Sequence, residues 1–182
     1  IKDSTLGLPG TMTALGGGLV DTDPAYQYND CSPVIDSTVL GYTYVSASAV
    51  TDVLDGVDVA IAGTFSGGDD LSQVTTTATG EITTLNRIEK RGNVVVSMDV
   101  SKTGGAAKEY QLKVQKDPVS TGIWVDVPGV FANVTLAGGG STPTSMNGPV
   151  RFIDGDKFRV VVVGIGHSED VTVTTDGFSL SV

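Results

Sequence analysis

The 182-residue chain has one cysteine and one histidine, and each scarcity closes off a class of chemistry. A single thiol, Cys31, excludes an intrachain disulfide framework and a multi-thiolate zinc site, because both need several sulfurs. A single imidazole, His167, excludes mechanisms that need two, including the two-histidine zinc helix. Glu and Leu are also scarce, at 4 and 11 residues, whereas Val, Thr and Gly number 27, 22 and 24. Leu and Glu build helices, while β-branched residues and glycine suit strands and tight turns, so an all-β chain is expected. No apolar run approaches the roughly 20 residues that cross a bilayer, and no positively charged start leads into an apolar stretch, so the chain is expected to be soluble.

Positive charge is missing from one half. Residues 1–86 carry a single basic residue, Lys2, against eleven acidic ones, while residues 87–182 carry ten of each, so the net charge of −10 lies wholly in the first half. An acidic surface repels phosphate, which makes nucleic acid and anionic membrane poor partners. Residues 1–56 combine Gly16 to Gly18, Pro9, Pro24 and Pro33 with many Asp and Ser, and read as an acidic, loop-rich N-terminal arm that anchors the rest.

From residue 57 to 182 the pattern changes to strand-length runs bounded by turn residues. The runs cover 57–65, 71–79, 81–88, 93–100, 109–116, 123–127, 130–136, 158–165, 171–174 and 178–182. About ten antiparallel strands fit a jelly-roll sandwich. Alternation assigns faces, since successive strand side chains point to opposite sides. Tyr110, Leu112 and Val114 share one face against Gln111, Lys113 and Gln115, and Phe178, Leu180 and Val182 oppose Ser179 and Ser181. The runs Val94 to Val96 and Val160 to Val163 are apolar on both faces. Each therefore needs a second cover, from the N-terminal arm or from a neighbouring subunit.

The order of elements over residues 80–182 carries a resemblance. Gly92 to Val100 is followed by Glu109 to Asp117, then Val130 to Leu136, then Val150 to Val163 with the Gly155-Asp156 turn before Phe158, and last Phe178 to Val182. This series resembles the C1q and tumour-necrosis-factor-like jelly rolls. The resemblance implies a homotrimer packed around an apolar axis, with Val94, Val96, Phe158, Val160, Val161, Val162 and Val163 as the trimer-interface candidates. Within that family the acidic Gly/Thr/Val-rich texture looks most like bacteriophage head fibres, capsid decoration proteins and tail-fibre tips.

Chemistry is sparse. His167 lies in the polar stretch Gly166 to Asp170 and reads as a solvated loop residue, and no Gly-x-Ser-x-Gly elbow occurs, so no enzymatic activity is expected. Asp21 with Asp23, Asp69 with Asp70, and Asp154 with Asp156 are carboxylate pairs, but none has the twelve-residue calcium-loop spacing, and Asp beside Gly or Pro makes turns. Cys31 has no neighbouring histidine to activate it. No catalytic residue, metal or cofactor is expected. Tyr26 with Tyr28 and Tyr42 with Tyr44 place two rings on one strand face and are candidates for arm packing or partner recognition. Ser141, Thr142, Thr144 and Asn147 fall in a stretch read as a loop and are candidates for hydrogen-bonding a sugar.

Two functions are consistent with these features. The first is a structural virion protein, a homotrimer on the virion surface whose arm binds capsid or tail proteins. The second is a trimeric adhesion module at an extracellular or bacterial surface, binding a host-surface glycan or receptor, where multivalency strengthens three weak sites.

Overall fold

A computed structural model describes residues 12–15, 18–21, 39–67, 74–85 and 89–181. The chain divides into two units, Ile1–Asp36 and Ser37–Val182. In the first, β1 (Met12–Leu15) and β2 (Gly18–Asp21) form an antiparallel hairpin with Met12 opposite Asp21.

The second unit is built from β3 (Val39–Ser48), β4 (Val50–Thr51), β5 (Val59–Ala60), β6 (Gly63–Gly67), β7 (Val74–Thr76), β8 (Ile82–Thr84), β9 (Lys90–Ser101), β10 (Lys108–Asp117), β11 (Val125–Leu136), β12 (Ser141–Phe152), β13 (Lys157–Gly164) and β14 (Val171–Ser181). They form two antiparallel sheets. The first has the order β11-β10-β13-β8-β7 with β5 also on β13, and the second has the order β12-β9-β14-β3-β6 with β4 also on β14. From β9 onward the chain passes back and forth between the sheets, the path of a jelly-roll sandwich. The all-β fold is thus the one expected from the β-branched, turn-punctuated sequence.

The core lies between the sheets. Tyr110, Leu112 and Val114 of β10 and Phe158, Val160 and Val162 of β13 face Val94, Val96, Met98 and Val100 of β9 and Phe178 and Leu180 of β14. Burying each such side chain contributes about 1.5–3 kcal/mol before the cost of ordering the chain. The alternation read in β10 and at the end of β14 selects Tyr110, Leu112, Val114, Phe178 and Leu180 correctly, while Val182 lies outside the described residues. Gly92 admits close packing where β9 meets β14, since a Cβ there would lie 2.0 Å from the Ser181 carbonyl oxygen.

Three expectations are corrected. The boundary falls at Asp36–Ser37 and not at residue 56, because β3 is an integral strand of the second sheet, paired to β14 on one side and β6 on the other. Residues 141–152 are a strand and not a loop. Pro143, Gly148 and Pro149 disguise it, yet β12 is an edge strand, where a missing N–H can face away from the ladder. Finally, Val94, Val96, Phe158, Val160, Val161, Val162 and Val163 are all buried within one chain. Val161 lies opposite Lys113 on one side and Ala60 on the other, and Lys113 Nζ reaches Asp58 at 2.6 Å. Val161 and Val163, the outward members of this run, are thus covered within a single chain, which removes the reason for placing that strand in a subunit contact.

The Asp154 to Asp156 turn is structural. Asp156 is 1% exposed; its carboxylate accepts the backbone N–H of Val119 at 2.9 Å and of Ile153 at 2.8 Å, and Lys116 Nζ pairs with it at 2.6 Å. Thr84 ties the same turn to β8, its N–H donating to the Asp156 carbonyl at 2.9 Å and its own carbonyl accepting from Gly155 N–H at 2.8 Å. With its oxygens so engaged, Asp156 is a clamp between β8, β10 and the turn before β13.

Candidate interaction face

The two sheets turn very different surfaces outward. On the first sheet the outward residues of β10, β11 and β13 form one polar network. Lys113 Nζ donates to Asp126 at 2.9 Å and pairs with Asp58. Gln115 Nε2 donates to Asp58 at 2.7 Å and Asp126 at 3.0 Å, and its Oε1 accepts from Arg159 Nε at 3.2 Å and Nη2 at 3.0 Å. Burial pushes the Asp126 carboxyl upward, but hydrogen bonds from Gln115 and Lys113 outweigh it and hold the group below its usual value. Burial likewise opposes the Lys113 charge, and its two aspartate partners more than restore it. The Arg159 guanidinium is drawn below its ordinary value by burial, against the pull of Glu81, Asp58 and Asp117.

Among the described residues the second sheet has no such network. Directly opposed residues on adjacent antiparallel strands share a face, and one row runs Tyr42 of β3, Ser179 of β14, Val95 of β9 and Asn147 of β12. Strand spacing makes this row about 14 Å wide. Beside it lie Ser97 opposite Ser145 and Asn93 opposite Pro149, and Tyr44 opposite Ser66. Among the residues of this face whose side chains are described, charge is confined to Asp99 near one end and to Arg91 and Arg151 at the other. Tyr42, Tyr44 and Val95 are 42%, 38% and 42% exposed, and the two tyrosine rings stack with centroids 6.4 Å apart at 23°.

The structure thus brings Tyr42 and Tyr44 together as the sequence pairing implied, while Tyr26 and Tyr28 lie outside the described residues, as do Cys31 and the Asp69-Asp70 pair. Ser141 and Asn147 are exposed on the outer side of β12, whereas Thr142 and Thr144 are half-buried on the side that carries Met146, Val150 and Phe152. The four do not form a ligand loop. Val95 was hidden in a run read as apolar on both faces; its neighbours Val94 and Val96 point into the core, which leaves Val95 alone outside. Its signal was the outward series Asn93, Val95, Ser97, in which a single apolar residue stands among small polar ones.

His167 is in a loop as expected, but it is half-buried and tightly placed. Its Nε2 lies 2.7 Å from the Glu109 carbonyl oxygen, its Nδ1 accepts the Glu169 N–H at 3.1 Å, and its ring meets Tyr110 edge-on at 4.6 Å. Glu169 itself binds Lys102 and Lys108. Among the described residues no cluster of His, Cys, Asp and Glu is arranged to hold a metal ion, and no helix is long and apolar enough to cross a membrane.

No family model and no curated protein matches the chain. Among solved structures it is similar to Eiger TNF from S. frugiperda, at 10% identity and a TM-score of 0.46, over 78% of this chain and 91% of that one. The fold and the face together define an antiparallel jelly-roll sandwich with one charged and one nearly uncharged outer surface.

Proposed function

We propose that the chain is a non-enzymatic structural module that associates as a homotrimer through the uncharged outer face of the β12-β9-β14-β3-β6 sheet, as an appendage on a phage particle. The observation that carries the assembly is the contrast between the two outer faces. Interface cores are depleted of charge and enriched in tyrosine, and the row Tyr42, Ser179, Val95, Asn147 has that composition where the other sheet has a salt-bridge network. The particle setting is supported by the acidic, Gly/Thr/Val-rich texture that the chain shares with phage head fibres, decoration proteins and tail-fibre tips.

Light scattering on the eluting protein tests the assembly, with a mass three times the 18.7 kDa of one chain as the expected result. A monomer at micromolar concentration overturns it. The genes flanking this one test the setting: capsid or tail genes are expected, and a locus without virion genes overturns the appendage role.

The Tyr42–Tyr44 stack favours a second reading, a trimeric adhesion module in which exposed rings receive sugar faces. Binding on a glycan array that disappears in the Tyr42→Ser, Tyr44→Ser double variant selects this reading over the first.

A further inference from the structure

At one end of the uncharged face two arginines stand side by side. Arg91 of β9 is directly opposite Arg151 of β12, on the same outer surface, and both are exposed. Like charges in directly opposed positions destabilise a strand pair. Among the described residues nothing in the sheet offsets them strongly. The one ion pair that either guanidinium makes among the described residues runs from Arg151 Nη1 to Glu89 at 3.5 Å, with both side chains more than half exposed (64% and 56%). Exposed pairs of that kind contribute little.

Between the two arginines the surface is hollow. Arg91, Gly92, Pro149, Val150 and Arg151 line an open depression of about 330 Å³. The strand register fixes both Cα positions, while the long arginine stems leave the guanidinium planes free to converge above the depression.

We infer that Arg91 and Arg151 form a binding site for a tetrahedral oxyanion, sulfate or phosphate, either free or as a monoester carried on a saccharide or a peptide. The choice of ligand follows from donor counting. A guanidinium presents parallel N–H groups as a fork that takes two oxygens. One fork therefore saturates a carboxylate, whereas two forks need the three or four oxygens of a phosphate or sulfate group. The formal charge of two guanidinium groups likewise balances a dianion. A ligand here exchanges the weak Glu89 contact for charge-assisted hydrogen bonds and removes the repulsion between the strands. The site belongs to a single chain and does not depend on trimer formation.

Titration of the full chain with sodium sulfate, sodium phosphate and a sulfated disaccharide, at ionic strength held constant with chloride, tests the assignment by backbone amide NMR. Saturable shifts centred on Gly92 and Val150 are expected, with affinity reduced at least tenfold in Arg91→Gln and in Arg151→Gln and unchanged in Lys157→Gln on the other sheet. In sulfate-free, low-salt buffer Arg91→Gln is expected to melt at or above the wild-type temperature, because it relieves a like-charge pair. A merely structural arginine gives the opposite sign. Equal affinity for free sulfate and the disaccharide identifies the free ion as ligand, and tighter disaccharide binding identifies a carried monoester. Shifts that grow linearly without saturation, or that are the same in wild type and Arg91→Gln, overturn the site.

Discussion

The guanidinium carbon of Arg159 lies 4.0 Å from the centroid of the Trp124 ring, and the same guanidinium donates twice to Gln115 Oε1. One planar cation thus covers the chain's single tryptophan and joins it to the Lys113–Asp58–Asp126 network. A lysine cannot do both, since an ammonium is a compact point charge without a fork. Arg159→Lys and Arg159→Ala are therefore each expected to cost about 1–2 kcal/mol in urea unfolding, the range of a partly desolvated cation–π contact with its hydrogen bonds. Because Trp124 is the only tryptophan, its fluorescence reads this contact alone, and Arg159→Ala is expected to shift emission to the red and increase acrylamide quenching. Unchanged emission would mean that the stack is absent in solution.

Acid stability turns on Asp117. Burial opposes its charge, but Thr121 Oγ1 donates to it at 2.9 Å and Gly122 N–H at 3.0 Å, with Lys157 adding attraction, and the balance holds the carboxyl below its usual value. A depressed folded-state pKa contributes stability that is complete above the unfolded value, near pH 4, and is lost as pH falls through the folded value. Wild-type stability is expected to be level from pH 7 to 5 and to fall below about pH 4. Asp117→Asn is expected to cost about 1–3 kcal/mol at pH 6, since it weakens hydrogen bonds to a buried charged group. Its deficit should shrink at pH 3, where the wild type loses the same charge. A deficit independent of pH assigns the effect to packing instead.

How much was legible in the sequence depends on whether one strand carried its own pattern. Residues 109–116 alternate cleanly, and Tyr110, Leu112 and Val114 were placed inward from that alone. Residues 141–152 lacked such a pattern because Pro143, Gly148 and Pro149 interrupt it, and tolerance of proline depends on being at a sheet edge, a property of the whole topology. The Val160 to Val163 run reads as apolar on both faces, but that its outer side is covered within one chain was not identifiable from the strand itself. The interaction face was half legible: the Tyr42 and Tyr44 pairing is local, whereas their alignment with Val95 and Asn147 needs the register of four strands from distant parts of the chain.

Val119 sits in the left-handed region, at φ 52 and ψ 35, within the short turn Pro118–Ser120. A β-branched residue pays a steric penalty there, and the clamp from Asp156 to the Val119 N–H holds the backbone in place. The side chain is 55% exposed, so little burial offsets the strain. Val119→Asn and Val119→Gly are expected to stabilise the protein by roughly 1 kcal/mol, close to the cost of one left-handed residue. Urea unfolding checks this, and a loss of stability in both variants would show that the valine packs productively on Gly155.

Tyr110 is 0% exposed, and among the described residues its hydroxyl is the one buried side-chain polar atom without a hydrogen-bond partner. A buried, unsatisfied hydroxyl costs stability, so Tyr110→Phe is expected to be neutral or stabilising by up to about 1 kcal/mol while the ring keeps its edge contact with His167. Burial, with the carboxylates of Glu169 and Asp170 behind it, pushes the phenol up to about 12. The sign follows: a folded pKa above the unfolded value of about 10 means that stability is complete below pH 10 and drains as pH rises toward the folded value. Against burial, Lys113 is also held above its ordinary value by its aspartate partners, but it is present in both proteins and cancels in the comparison. The wild type is therefore expected to lose stability more steeply than Tyr110→Phe between pH 10 and 12, as measured by urea unfolding at intervals across that range. Parallel slopes, or a destabilised Tyr110→Phe at pH 7, would show that the hydroxyl has found a partner, such as a bound water.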